Sequence, residues 1–390
     1  MKSTGQRFLI DASTAQIGGG VTYVLNVLPQ LARLAPDDRF RVLLRSQDMA
    51  GSLSTPSNLE VTLLDPASVA SRLRFLLHEG PRLAASWRAD LYFSASESAP
   101  PRLSCPSIAS FRNPNIVDRK GHGWPLPERM RLGLLRQLAR LSAQRCERVL
   151  FVSEDSARWM GDDLGVPGWK RTVIHHGIDW DAKEVQASPK RHARPHILTV
   201  SSIYRYKNFV RLIEAYARFA GRVRDVPDLV IVGDDRDPAY ARRMERARRA
   251  TGVLAGKIHI VGAVPYAEVR SYYDDASLFV FPSYLETFGH PLLEAMASGT
   301  PLVAADIPVF REIAGDAALF ADPFSSEALA DAIEKVLSSE ALRRELIDRG
   351  GARVREFPWS RSAERHLALF REVAGPRETL PSGNRSAKLD

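Results

Sequence analysis

Short apolar runs alternate with stretches of helical periodicity along most of this chain, and that alternation restricts the fold more than any other feature. In the C-terminal half, residues 196–201, 229–233, 258–262, 278–281 and 301–304 read as strands, each followed by a helical pattern. The clearest helix places Phe209, Leu212, Ile213, Tyr216 and Ala220 on one face, the spacing of a half-buried helix. The N-terminal half repeats the scheme. Strand-like runs at 7–10, 40–44, 59–64, 91–93 and 149–152 are separated by helical or polar segments, the first of which carries Val24, Val27, Leu28 and Leu31 in helical register. Strands that alternate with helices predict an α/β protein in which parallel sheets are covered by helices. Between 180 and 195 the apolar periodicity stops and charges gather around Pro189 and Pro195, as in an interdomain linker.

The chain has 390 residues, and at about 150 residues per domain two domains are expected. The predicted limits are 1–182 for a first doubly wound domain and 183–357 for a second. A last helix over 358–374, after the break at Phe357-Pro-Trp-Ser360, is predicted to cross back to the first domain, and 375–390 reads as a disordered polar tail. Hydrophobic residues at 45% and charged residues at 26% exclude a wholly disordered, collagen-like or coiled-coil chain. The excess of 54 basic over 46 acidic side chains favours phosphate-bearing partners without choosing among them. No nucleic-acid-binding motif accompanies the charge, so nucleic acid is not an expected partner. Cys105 and Cys146 are far apart and support neither a disulfide framework nor a zinc site; no metal site is expected. The opening MKSTGQRFLIDAS is too short in apolar residues for a secretory signal, and no run approaches the ~20 apolar residues of a membrane span. The expected location is the cytoplasm.

The most informative stretch is LFVFPSYLETFGHPLLEAMASGT, residues 278–300. A strand ends at Pro282, a short loop carries Glu286, and Pro291 suits the first position of a helix because its missing N–H would be unpaired there anyway. The N–H groups of Leu292 and Leu293 are then expected to face outward and attract a phosphate. Glu294, a turn further on, is placed for sugar hydroxyls.

This stretch resembles the signature of retaining glycosyltransferase family 4, a glutamate followed after seven residues by a second glutamate, here Glu286 to Glu294. Pro301-Leu-Val-Ala-Ala-Asp306 and Arg311-Glu-Ile-Ala-Gly-Asp316 continue that family's pattern. The resemblance implies the GT-B architecture, two Rossmann-like doubly wound domains facing a cleft. It also implies transfer of a hexose, with mannose from GDP-mannose favoured, from a nucleoside diphosphate sugar to a hydroxyl of a glycan or lipid-linked glycan. The reaction would retain the anomeric configuration and need no cofactor. By the same resemblance Val200-Ser-Ser-Ile-Tyr-Arg-Tyr-Lys-Asn208 is the phosphate loop, with Lys207 and Arg205 on the diphosphate beside the helix start at Leu292 and Leu293. Glu294 would hold the ribose and Glu286 the donor sugar, with Phe288 and Gly289 between them. The Gly18-Gly-Gly20 loop, with Gly19 and Gly20, would let backbone approach the donor phosphate. Many relatives carry a His or His-Asp pair where this chain reads Ser110-Phe-Arg-Asn-Pro-Asn115, which leaves Arg112, Asn113 and the nearby His122 as candidate sugar or acceptor contacts.

The Arg-rich segment 127–148, with Met130, Leu134, Leu138 and Leu141 on one side, is expected to pack that stripe on the core; attachment to an anionic membrane face is the alternative. Competing functions are an epimerase of the same fold, which would isomerise the donor without an acceptor, and an inactive nucleotide-sugar-binding protein.

Overall fold

A computed structural model describes residues 5–15, 19–65, 68–117, 124, 126–179 and 195–376. The predicted linker, the tail beyond 376, Gly18 and His122 lie outside the described residues.

The apolar runs form two sheets. The first comprises β1 (Arg7–Asp11), β2 (Arg39–Leu44), β3 (Leu59–Leu63), β4 (Leu91–Ser94), β5 (Ser107–Phe111), β6 (Arg148–Phe151) and β7 (Arg171–Val173), in the order β3-β2-β1-β4-β5-β6-β7. The second comprises β8 (His196–Val200), β9 (Asp228–Val232), β10 (Ile258–Gly262), β11 (Leu278–Phe281), β12 (Leu302–Ala305) and β13 (Leu319–Ala321), in the order β10-β9-β8-β11-β12-β13. Neighbours pair parallel, as in β1 with β4 and β8 with β11. In each sheet the order runs outward from the first strand and then reverses, which is the doubly wound pattern. The fold is that of two parallel-sheet α/β domains of the GT-B kind.

The chain divides into two compact units. One holds the described residues up to Ser110, Leu141–Val149 and those from Ala363 on; the other holds Phe111–Arg140 and Leu150–Ser362. In the first unit the end of the C-terminal helix Trp359–Ala374 is anchored by Phe370 against Phe8 and Phe93, and by a 2.8 Å hydrogen bond between His366 Nε2 and Tyr23 Oη. In the second unit β9, β11 and β12 are buried at every position. Successive residues feed opposite faces: Leu198, Val230 and Phe279 enter one core cluster, Ile197, Leu229 and Leu278 the other. A strand covered on both faces must be apolar throughout rather than alternating, which is why these runs stood out in the sequence.

Three strands escaped the sequence reading for a physical reason. Two of the five residues of β5, SIASF, are serines, and β7 and β13 have three residues each, too few for periodicity to register.

The Arg-rich helix spans Leu126–Arg145, but its packing differs from the expected one. Leu132, Ala139, Ser142 and Ala143 form its buried side. Met130, Leu134 and Leu141 are 69%, 55% and 48% exposed, so three of the four residues predicted to meet the core face away from it, and only Leu138 is half-buried. The inner arginines decide the rotation. Arg136 pairs with the Asp163 carboxylate and Arg140 donates to the Asp163 carbonyl at 3.2 Å, both within the second unit.

Candidate functional site

In the second sheet the strand order reverses between β8 and β11, and in folds of this kind ligands bind outside the carboxyl ends of the strands at such a reversal. The loops that leave these two strands are tied together. The Tyr284 N–H donates to the Tyr206 carbonyl at 3.1 Å, and Asn208 Nδ2 donates to the Pro282 carbonyl at 3.1 Å and the Pro323 carbonyl at 2.6 Å. Asn208 has φ of 65°, a left-handed conformation that asparagine tolerates better than most residues, and it opens the helix Phe209–Ala220. The tie brings together the two predicted residues from opposite sides of the reversal: Lys207 Nζ forms an ion pair with Glu286 Oε1, each side chain 11% exposed. The ammonium also lies 5.2 Å from the Tyr206 ring and 5.4 Å from the Phe281 ring, an apolar and weakly cation-attracting floor.

Arg205 goes elsewhere. Its guanidinium donates to the buried Asp237 carboxylate at 2.8 Å and lies 4.5 Å over the Trp124 ring, rather than standing as the second phosphate cation expected beside Lys207. A buried carboxylate must be paired, and Asp237, which caps the helix Pro238–Ala250 through the Tyr240 N–H, claims the nearest arginine.

The helix after β11 runs His290–Ala297, so Pro291 is its second residue and not its first. Leu292 N–H is not free for an anion as expected: it donates to the Gly289 carbonyl at 2.9 Å, and the side chains of Leu292 and Leu293 are buried in the core. Gly289 has φ of 95°, and a Cβ there would lie 2.9 Å from the Phe310 ring, so both backbone and packing require glycine. Phe288, named from the signature as a donor-site residue, is buried among His176, His290 and Phe357. Glu294 is buried and accepts a 2.8 Å hydrogen bond from Tyr273 Oη. Burial pushes its carboxyl up to about 7, with the tyrosine hydrogen bond acting the other way.

The candidate sugar and acceptor residues belong to the same unit. The Arg112 carbonyl accepts from Thr287 Oγ1 at 2.8 Å, and Asn113 Oδ1 caps the turn Pro114–Ile116 through the Asn115 N–H at 3.1 Å. In the first unit, the helix Gly19–Leu34 starts within the glycine loop. A Cβ on Gly20 would meet Ala15 at 3.6 Å, an ordinary contact, so the fold itself does not demand glycine there.

Sequence reasoning missed several polar partners. His290 Nε2 and His176 Nδ1 are 2.9 Å apart, and burial, with the Arg112 charge adding, pushes His290 down to about 4. Glu312 accepts from the Glu154 and Asp155 N–H groups at 2.8 and 2.9 Å, at the positive end of the helix Glu154–Leu164, and meets His175 Nε2 at 2.8 Å. Only the quoted motifs containing these residues pointed to them; nothing local announced the pairings.

Residues 17–182 match the Glycosyltransferase Family 4 domain and residues 181–353 match Glycosyl transferases group 1. The chain belongs to the group 1, family 4 glycosyltransferases. It is 29% identical over 178 residues to O-antigen chain mannosyltransferase B of Escherichia coli, covering 45% of each chain. It is 30% identical over 237 residues to phosphatidyl-myo-inositol mannosyltransferase of Mycobacterium tuberculosis, covering 58% of this chain and 60% of that one. The matches thus span about half the length of these relatives. Among solved structures, sucrose-phosphate synthase of Thermosynechococcus elongatus superposes with a TM-score of 0.76 at 20% identity, over 94% of this chain and 98% of that one.

The raised Glu294 carboxyl has a consequence for stability. Because the folded state holds this proton more tightly than the unfolded chain, the contribution is complete below about pH 4.5 and is lost as pH rises through about 7. Glu294→Gln, which cannot ionise, should gain on the parent by about 3 kcal/mol between pH 4.5 and 7 in urea unfolding. A pH-independent difference between the two proteins would mean that Glu294 ionises normally in the fold.

Proposed function

We propose that this protein transfers a hexose, mannose favoured, from a nucleoside diphosphate sugar to a hydroxyl of a glycan or lipid-linked glycan, with retention at the anomeric carbon. The observation that carries this reading is the meeting of Lys207 and Glu286 at the strand-order reversal, where a cation for a diphosphate and an acceptor for sugar hydroxyls stand side by side. Mannose is supported by the names of the two relatives above, and retention by the family signature Glu286 to Glu294. In this reading Lys207 neutralises the leaving diphosphate, Glu286 orients the donor sugar, and Glu294 hydrogen-bonds the ribose. Gly19 and Gly20 leave room for the donor, while Arg112 is the candidate from its loop for a sugar or acceptor contact. Arg205, held by Asp237, is the candidate second cation of the phosphate loop. Retention without a positioned base favours a front-face path, in which the leaving phosphate takes the acceptor proton.

A preorganised cation is worth more as charge builds on the leaving group than in the ground state. Lys207→Ala should therefore lower kcat at least as strongly as donor affinity, by about 2.7–4 kcal/mol. GDP should give the largest thermal shift among GDP, UDP and dTDP, since a ligand at 100 times its Kd stabilises by about 2.7 kcal/mol. Parent-like turnover in Lys207→Ala would place the diphosphate elsewhere, and an isomerised donor formed without acceptor would identify an epimerase instead.

The reaction as proposed needs no metal, because Lys207 supplies the charge that a divalent ion would otherwise bring. Turnover should survive EDTA. Loss with chelator and recovery with Mn²⁺ or Mg²⁺ would contradict this assignment.

A lipid-linked acceptor would be reached from a membrane surface. Among the described residues no helix is long and apolar enough to cross a membrane. The outward face of Leu126–Arg145 instead combines exposed Leu126, Met130, Leu134 and Leu141 with exposed Arg129, Arg131 and Arg145, a pattern suited to anionic headgroups. Flotation with phosphatidylglycerol vesicles should show binding at low salt that weakens at high salt, since such attraction is screened over ~10 Å at 0.1 M. Equal binding to phosphatidylcholine vesicles would remove the electrostatic argument.

A further inference from the structure

The ion pair between Lys207 and Glu286 sets a condition on any anion that approaches the lysine. Both side chains are largely enclosed, and the loops that carry them are tied by the Tyr284-to-Tyr206 backbone hydrogen bond and by Asn208. The two charges therefore cannot separate by cheap loop motion. A diphosphate that reaches Lys207 meets the Glu286 carboxylate beside it, and like charges in a poorly hydrated place repel strongly. Glu286 has to turn away on its own side-chain torsions. Once turned, it is an enclosed carboxylate without a cation, which is costly unless new donors reach it. Lys207 meanwhile stays in place above the Tyr206 and Phe281 rings.

We propose that Glu286 is a specificity residue that makes Lys207 favour an intact nucleoside diphosphate sugar over the bare nucleoside diphosphate, by exchanging one ion-pair partner for another. The intact donor brings phosphate to Lys207 and sugar hydroxyls that donate to the released carboxylate, so both charges are satisfied. The bare nucleoside diphosphate brings only the first half of that exchange. After transfer the sugar has left, Glu286 loses its hydroxyl partners and returns to Lys207, and the product anion is displaced. Competition for one ammonium thus favours product release. This inference rests on the donor site proposed above.

The test measures binding of GDP, UDP and inorganic pyrophosphate to the parent, Glu286→Gln, Glu286→Ala, Lys207→Ala and the double variant Lys207→Ala/Glu286→Gln, each checked for a parent-like melting transition. Removing the carboxylate charge should tighten the tightest-binding of these anions by at least about fivefold, the lower end of coupling between sites, and deepen product inhibition to match. Affinity for the intact sugar nucleotide should stay level or fall. In the double variant the gain over Lys207→Ala should vanish, because the two side chains no longer compete. If Lys207→Ala weakens the anions and the two Glu286 variants weaken them as well, the donor site stands and the exchange is overturned. If Lys207→Ala leaves all three anions unaffected, the donor site itself is misplaced and the exchange falls with it.

Discussion

Parallel strands joined by helical crossovers all point the same way, and this one constraint organises everything that follows. It brings the carboxyl ends of β8 and β11 to one edge of the sheet, where the order reverses. The gap between the loops that follow them is closed by side chains and one backbone hydrogen bond. Asn208 reaches the carbonyls of Pro282 and Pro323, Tyr284 bonds to Tyr206, and the largely enclosed Lys207 pairs with Glu286. Residues 79 apart in sequence become partners because the sheet leaves them facing each other.

Around that edge the fold pays for buried polarity by pairing it. Asp237 takes Arg205, Glu294 takes the Tyr273 hydroxyl, His176 takes His290, and Glu312 takes two helix N–H groups with His175. Removing one member of such a pair leaves the other enclosed and uncompensated, which costs more than the pair itself contributes. Several residues whose chemistry suits phosphate or sugar are for this reason held in protein contacts. Arg205 is the clearest case, since its guanidinium meets the carboxylate of a helix cap and an aromatic ring.

The Leu126–Arg145 helix shows how local pattern and tertiary packing compete. Periodicity alone chose the side with the larger apolar side chains, Met130, Leu134, Leu138 and Leu141. Two arginines with an aspartate to meet on the neighbouring helix, together with the small residues Ala139, Ser142 and Ala143 that permit close approach, turned the opposite side inward. The larger side chains were left exposed as a consequence.

The alternation of strands and helices and the doubly wound class were legible in the sequence for all but β5, β7 and β13, because fully buried strands have to be apolar; Glu286 and Glu294 stood out from the strand, loop and helix around them, and Lys207 only from the family resemblance. Gly289 was legible as part of a motif, although the steric reason for it lies in Phe310, 21 positions away. What each candidate touches was not legible. Charges, hydroxyls and imidazoles pair over long sequence distances, and partners such as Lys207 with Glu286 or Thr287 with Arg112 are decided by which loops the sheet brings into reach. Sequence by itself determined most of the segments that form the core, since strands covered on both faces are apolar throughout; only tertiary structure decided how the polar groups are matched and which face of Leu126–Arg145 turns inward, since both depend on distances that no local pattern records.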